Sequence, residues 1–397
     1  MLIGLKRKEK LKILYLLQFF IPAWRFGGVV QLAYNIAKGM AQKGHEVTVF
    51  STDAFEPGRR IEEKRNMIDG IEVFYFKNIS NYLASKYRII QPKSLKMNLK
   101  QHIKDYDVIH LLDIYSISTF WAYKQSRKWN VPLFITTSGV LSDYSQKTKS
   151  FIKKVFNIRL RKVLLNAEAL IVQTESEKED CQKLGITNIN LIKPGINLKE
   201  FTTLPSRNIF REKYNLQEDD ICVLFLGRID QVKGIKFLID AITQIENRKI
   251  YLFIVGSKNE YLTQLLKNIQ NSEKKDQIVI TGWVSDEEKF EAYLGADIYC
   301  LPSIYDCAPN SILEAGACGL PIITTTSNGL FEIARDGAGE VVDPGDSIAL
   351  KNAILKMASN RNKMKEAGNR GRKIIQEEFD WEDKLNELEQ LYYSKLE

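Results

Sequence analysis

The chain has 397 residues, 44% hydrophobic and 27% charged, with a formal net charge of +8. That length predicts two domains, each large enough for its own core, and the composition excludes a disordered chain. Five cysteines without a CxxC pair and only three histidines exclude a zinc cluster and a disulfide framework, and point to a reducing, cytoplasmic compartment.

At the N-terminal end, Lys6-Arg7-Lys8-Glu9-Lys10 precedes an apolar run from Ile13 to Ile21, an order shared with signal peptides. Ala23-Trp24-Arg25-Phe26 is not a small-residue cleavage site, and the run is too short and interrupted to span a bilayer. Residues 12–19 therefore read as a first strand. Gly27 and Gly28 then open a helix with apolar positions Val30, Ala33, Ile36, Ala37 and Met40. It closes at Lys43-Gly44-His45, and Val47–Phe50 returns as a strand, which completes a βαβ unit. The missing side chains of Gly27 and Gly28 let a backbone N–H approach a phosphate or an acceptor; a tight turn alone also explains them.

In Asp107-Val108-Ile109-His110-Leu111-Leu112-Asp113 an apolar strand ends near His110 and Asp113. Strand C-terminal ends are where such sheets bind ligands, so His110 is either a catalytic contact or a satisfied structural histidine. Thr136-Thr137-Ser138-Gly139 follows the strand Leu133–Ile135 and belongs to the same edge. Residues 86–104 carry Lys86, Arg88, Lys93, Lys96, Lys100 and Lys104. Between Asp143 and Glu168 the charges are all basic: Lys147, Lys149, Lys153, Lys154, Arg159, Arg161 and Lys162. Ile152, Val155, Phe156, Leu160, Val163 and Leu164 run through them as an apolar stripe, so residues 147–164 predict an amphipathic basic helix. It suits an anionic membrane surface, or is simply a solvated face over a buried stripe. Nucleic acid is the weaker reading, because no aromatic-interleaved or groove-reading module accompanies the charge. The linker falls around residues 197–207, which gives domains at 1–200 and 207–378 and a terminal helix at 379–397 with Leu385, Leu388 and Leu391 in register.

The second half repeats the plan. Val223–Leu226 is a buried strand bounded by Gly227, and Ile235, Phe237, Leu238, Ala241, Ile242 and Ile245 follow at helical spacing. Arg228 and Lys233 flank the loop between them. Two cations there could hold a diphosphate without a metal, Arg228 by its planar fork and Lys233 as a movable point charge. Ile250–Val255 is the next strand, and Gly282-Trp283-Val284 follows a further one and could edge a base. Asp306-Cys307-Ala308-Pro309-Asn310-Ser311 leads into a helix carrying Glu314. A loop ending at a helix N-terminus offers unpaired N–H groups and a positive dipole end to a phosphate. Glu314, about one turn in, has two oxygens for the vicinal hydroxyls of a ribose. Alternatively the segment is an N-cap plus a surface carboxylate. A nucleophilic Cys307 is disfavoured, since no histidine lies near it in sequence.

Alternating strands and helices in both halves predict two doubly wound, mostly parallel sheets. A single dinucleotide-binding enzyme would want G-x-G-x-x-G, which Phe26-Gly27-Gly28-Val29-Val30 does not supply. Gly227-Arg228-x4-Lys233-Gly234, Asp306-x7-Glu314-Ala315 and Cys318-Gly319-Leu320-Pro321 resemble the donor-binding half of glycosyltransferase family 4, the group 1 glycosyltransferases, and the resemblance extends over nearly the whole chain. It implies a GT-B fold, two Rossmann-like domains facing each other across a cleft, with the terminal helix crossing back to the first domain. It also implies a retaining, metal-independent transfer from a nucleoside-diphosphate sugar, UDP- or GDP-linked, to a glycan or lipid-linked acceptor at the inner face of a membrane. Arg228 and Lys233 would neutralise the leaving diphosphate, Asp306 hold a sugar hydroxyl, and Glu314 hold the ribose. Two departures stand out. The family usually has Glu where this chain has Asp306, and often has a second histidine where this chain has Leu112. A degenerate non-catalytic scaffold, a nucleotide-sugar epimerase and a polysaccharide-forming phosphorylase or synthase are the competing readings.

Overall fold

A computed structural model describes residues 10–56, 59–87, 90–92, 94–142, 151–267 and 273–396. The chain divides into two compact units, Met1–Ile192 with Glu382–Glu397, and Lys193–Trp381.

The first unit contains β1 (Lys12–Leu16), β2 (Glu46–Thr52), a small hairpin of β3 (Ala54–Glu56) and β4 (Arg59–Arg60), then β5 (Arg65–Ile68), β6 (Ile71–Phe76), β7 (Val108–Leu111), β8 (Leu133–Thr136), β9 (Ala169–Val172) and β10 (Ile189–Leu191). Eight of these form one sheet in the order β10-β9-β8-β7-β1-β2-β6-β5, parallel except for β5. Its central strands are buried along their length apart from the first residue of β1 and of β2, as expected of a parallel sheet covered on both faces. The first strand is shorter than residues 12–19. Leu17 still donates its N–H to Phe50 at 3.2 Å, but beyond Gln18 the chain leaves the ladder and reaches Pro22, which has no N–H to give.

The helix Gly28–Gln42 buries Val30, Ala33, Ile36, Ala37 and Met40, the stripe expected from spacing. The helix Phe151–Leu165 buries Leu160, Val163 and Leu164 and exposes Arg159, Arg161 and Lys162. Arg88, Lys93, Lys147 and Lys149 lie outside the described residues, as do the side chains of Lys86, Ile152, Lys153, Lys154 and Val155. Among the described residues no helix is long and apolar enough to cross a membrane.

The terminal helix Trp381–Ser394 buries Leu385, Leu388 and Tyr392, while Leu391 is only half-buried. Glu389 accepts from Lys43 at 2.9 Å and from His45 at 2.8 Å. His45 accepts the Leu11 N–H on Nδ1, which leaves the proton on Nε2 to donate to Glu389. The contact boundary before the second unit falls at Ile192/Lys193, ahead of the expected linker. Ile196, Leu198 and Phe201 pack on the second unit's core, so residues 197–201 belong to it.

The second unit contains β11 (Ile221–Leu226), β12 (Ile250–Val255), β13 (Ile278–Gly282), β14 (Ile298–Leu301), β15 (Ile322–Thr325) and β16 (Gly339–Val342). All pair in parallel, in the order β13-β12-β11-β14-β15-β16. The chain builds outward from β11 to β13, then returns to the other side of β11 with β14. The strand order therefore reverses between β11 and β14, the place where doubly wound sheets hold ligands at their strand C-termini.

Candidate active site

Both motifs leave the sheet at this reversal. The loop after β11 carries Gly227 through Gly234, and the loop after β14 carries Asp306 through Pro309. The two are joined backbone to backbone, Ile304 N–H to Val232 C=O at 2.8 Å. Gly234 has φ +68°, and a side chain there would drive into the Pro302 carbonyl, so only glycine permits the approach.

Asp230 organises the first loop. Its Oδ1 caps the short turn Gln231–Lys233 by accepting the Lys233 N–H at 3.0 Å, and its Oδ2 accepts from Arg228 Nε at 2.7 Å. Arg228 keeps its two terminal NH2 groups in a side chain that is 70% exposed. Lys233 is held further in, 18% exposed, and its ammonium donates to Asp306, 16% exposed. An ammonium has three donors, so Lys233 has capacity left for a phosphate oxygen.

The helix Asn310–Ala317 starts at Pro309 without a side-chain cap, so its N-terminal dipole is not neutralised locally. Cys307, Ala308, Asn310 and Ser311 are part-exposed along that approach and Pro309 is buried. Glu314 sits in this helix, 14% exposed. Its Oε1 accepts from Lys289 at 3.0 Å and its Oε2 from the Tyr293 hydroxyl at 2.8 Å. Burial alone would pull the Lys289 ammonium down, but Glu314's charge and hydrogen bond outweigh it and leave it raised. Gly282 ends β13 with φ +87°, and Trp283 beside it is exposed. Arg228, Lys233, Asp306 and Glu314 thus gather on loops and a helix start at one edge of one sheet.

His110 does not line a site. It is fully buried in β7, with Nδ1 2.6 Å from the Tyr392 hydroxyl and Nε2 2.8 Å from Thr136 Oγ1. Burial pushes it down to about 3, so it is neutral at physiological pH. The catalytic alternative is corrected: both ring nitrogens are spent holding the terminal helix to β7 and β8. Gly27 and Gly28 stand at the equivalent reversal of the first unit, between β1 and β7. Gly27 has φ +84° and precedes the helix Gly28–Gln42, which has no side-chain cap. A small cavity of about 40 Å³ beside it is lined by Gln18, Phe19, Phe26, Val30 and Asp113, among others.

Lys289 and Tyr293 were not singled out in the sequence. They lie four apart in the helix Asp286–Gly295, behind a Ser285/Glu288 capping box, and so share one helix face. A lone lysine among Asp286, Glu287, Glu288 and Glu291 was the available signal.

Two parallel doubly wound units, the second with a basic strand-to-helix loop at its reversal, define a GT-B protein. The sequence matches the family model for glycosyltransferase family 4 over residues 26–200 and that for glycosyl transferases group 1 over residues 206–374. The chain belongs to this glycosyltransferase family. An uncharacterised glycosyltransferase of Methanocaldococcus jannaschii is 24% identical over 94% of this chain and 95% of its own length. A D-inositol 3-phosphate glycosyltransferase of Xylanimonas cellulosilytica is 24% identical over 81% of each. Among solved structures, Anabaena HepE in complex with UDP superposes with a TM-score of 0.80 at 20% identity, covering 97% of this chain and 100% of that one. The same protein with UDP-glucose gives 0.77 over the same coverage.

Proposed function

We propose that this chain moves a hexose-type sugar from a UDP- or GDP-sugar to a glycan or lipid-linked acceptor, with retention at the anomeric carbon and without a metal. The observation that carries the reading is the convergence of Arg228, Lys233 and the helix start at Asn310 on the sheet reversal, with Glu314 one turn beyond. The phosphates lie against Arg228, Lys233 and the N–H groups at the helix start, and Glu314 takes the ribose. Trp283 edges the base, and Asp306 takes a sugar hydroxyl. The bond from the anomeric carbon to the phosphate oxygen breaks as the acceptor oxygen bonds on the same face. The acceptor's proton passes to a departing phosphate oxygen, and Arg228 and Lys233 stabilise the charge that grows there. Gly27 and Gly28 are proposed for the acceptor or a donor phosphate.

Thermal unfolding with UDP, GDP, ADP, CMP and NAD, each with and without EDTA, tests the donor site. A ligand that binds only the folded state at a hundred times its Kd adds about 2.7 kcal/mol, which raises Tm by roughly 5 °C. One nucleoside diphosphate should give that rise, EDTA should leave it in place, and Glu314→Ala should remove it. A folded protein that responds to none of them favours the scaffold reading.

The membrane reading rests on Ile158, 74% exposed beside Arg159, Arg161 and Lys162, an apolar side chain set in a basic face. Vesicles containing phosphatidylglycerol should co-sediment with the protein, and Arg159→Glu with Lys162→Glu should release it. Binding that is absent from the start, or unchanged by both substitutions, removes the membrane from the account.

A further inference from the structure

The carboxylate of Glu314 is gripped from one side by two residues of a neighbouring helix. Lys289 Nζ donates to Oε1 at 3.0 Å and Tyr293 Oη to Oε2 at 2.8 Å. Each oxygen of a carboxylate can accept about two hydrogen bonds, so one acceptor position remains on each. Two donors on different oxygens also stop the carboxylate rotating about its terminal bond. What is left is a fixed plane with one free acceptor site per oxygen, which matches two hydroxyls on adjacent carbons.

The grip is built rather than incidental. Lys289 is 20% exposed at its side chain, and a lysine seldom sits so deep unless its charge is answered. Of its other acidic neighbours, Asp286 is farther away at 3.7 Å and almost fully exposed and Glu200 acts through its charge alone, so Glu314 is the partner that holds it. The helix Asp286–Gly295 is fixed at its start by the reciprocal Ser285/Glu288 cap, and Tyr293 is fully buried, so the donors approach from a rigid base.

We propose that Lys289 is a positioning residue for the nucleotide: by locking the Glu314 carboxylate it sets the preference for a ribose over a deoxyribose. This rests on the reading that Glu314 holds the ribose. Lys289 itself touches neither the sugar being transferred nor the leaving phosphate. Its loss should therefore appear in donor KM and nucleotide Kd and leave kcat nearly unchanged, because the ribose contact is the same in the ground and transition states.

The test is calorimetric titration of the full chain with UDP, GDP and their 2′-deoxy forms, in the native protein, Lys289→Met, Lys289→Gln and Glu314→Gln. The native protein should bind one ribonucleotide roughly tenfold more tightly than its deoxy form, the worth of one hydrogen bond to a charged group. Lys289→Met should bind the ribonucleotide roughly tenfold more weakly while its deoxy affinity, which rests on the 3′-hydroxyl contact alone, falls less, so the preference narrows sharply. Lys289→Gln, which keeps a neutral donor, should fall between, and decides the matter if the methionine variant does not fold. A preference that persists in both Lys289 variants but disappears in Glu314→Gln overturns the inference and leaves the ribose reading standing. A preference that persists in Glu314→Gln, or a native protein that binds neither ribonucleotide, overturns the ribose reading and the inference with it. A merely structural Lys289 would weaken both forms of the nucleotide equally.

Discussion

Replacing Lys233 with alanine should lower kcat on the order of 10³-fold while donor binding weakens far less. In the proposed reaction the ammonium faces the departing diphosphate, whose charge is larger in the transition state than in the bound donor. An interaction that strengthens along the reaction acts on kcat, whereas Glu314 and Lys289 act on binding. The loop does not depend on the ammonium for its shape. Asp230 caps the turn through the Lys233 backbone N–H, Gly234 provides the close approach to Pro302, and Val232 bonds Ile304. The cost to stability comes from Asp306, which loses its partner while only 16% exposed, and should amount to about 1–3 kcal/mol. Circular dichroism and a melting curve separate that loss from the catalytic one, and Lys233→Ala combined with Asp306→Asn should recover stability without recovering turnover. A folded Lys233→Ala protein that keeps more than about a tenth of native kcat would remove Lys233 from the chemistry. A native protein that binds nucleotide but turns over no sugar donor would instead support the scaffold reading.

The parts of the fold that could be read from sequence are those where one face decides the pattern. Val30, Ala33, Ile36, Ala37 and Met40 are buried as their spacing required, and β12 runs from Ile250 to Val255 as its apolar run implied. The first strand was overread because Leu17, Phe19 and Phe20 are buried too, and burial without ladder pairing looks the same in a sequence. In the terminal helix the heptad-like leucines drew attention to Leu391, yet Tyr392 is the residue that is fully buried, since its hydroxyl meets Tyr15 at 3.3 Å and His110. On the donor side the placement of the basic loop after a strand and of Glu314 near a helix start was legible because each is a local motif, whereas their roles stay with the proposal. Lys289 was not, because its meaning depends on a carboxylate 25 positions away in another helix. His110 failed for the same reason in stronger form: its partner Tyr392 is 282 positions distant, so a strand-end histidine gave no sign that both its nitrogens were taken.

That buried histidine makes acid a selective stress on the first unit. His110 is held at about 3, well below the ordinary value near 6.5, and the cause is burial alone. Its hydrogen bonds do not forbid protonation, because the Tyr392 and Thr136 hydroxyls can rotate to accept from a doubly protonated ring. What the fold resists is the charge. Above pH 6.5 His110 is neutral whether the chain is folded or not, and it makes no pH-dependent contribution. Below 6.5 the unfolded chain takes up a proton that the folded one refuses, so stability falls by about 1.4 kcal/mol per pH unit until the pH nears 3. From pH 6.5 to 4.5 the loss should reach about 2.3 kcal/mol, or roughly 5–9 °C in the melting of the first unit. Glu389 is lowered as well: burial alone would raise its carboxyl, but the hydrogen bonds and charges of Lys43 and His45 outweigh it. A depressed carboxylate stabilises above its unfolded value, about 4.3, and loses that stability only as pH falls further, so it acts below this window. His110→Gln keeps a neutral donor and acceptor at the site. Even if it costs stability at pH 7, it should flatten the slope between pH 6.5 and 4.5 by one proton. A slope identical to the native one would mean that the proton responsible binds elsewhere and that His110 is not the acid-sensitive clasp of the terminal helix.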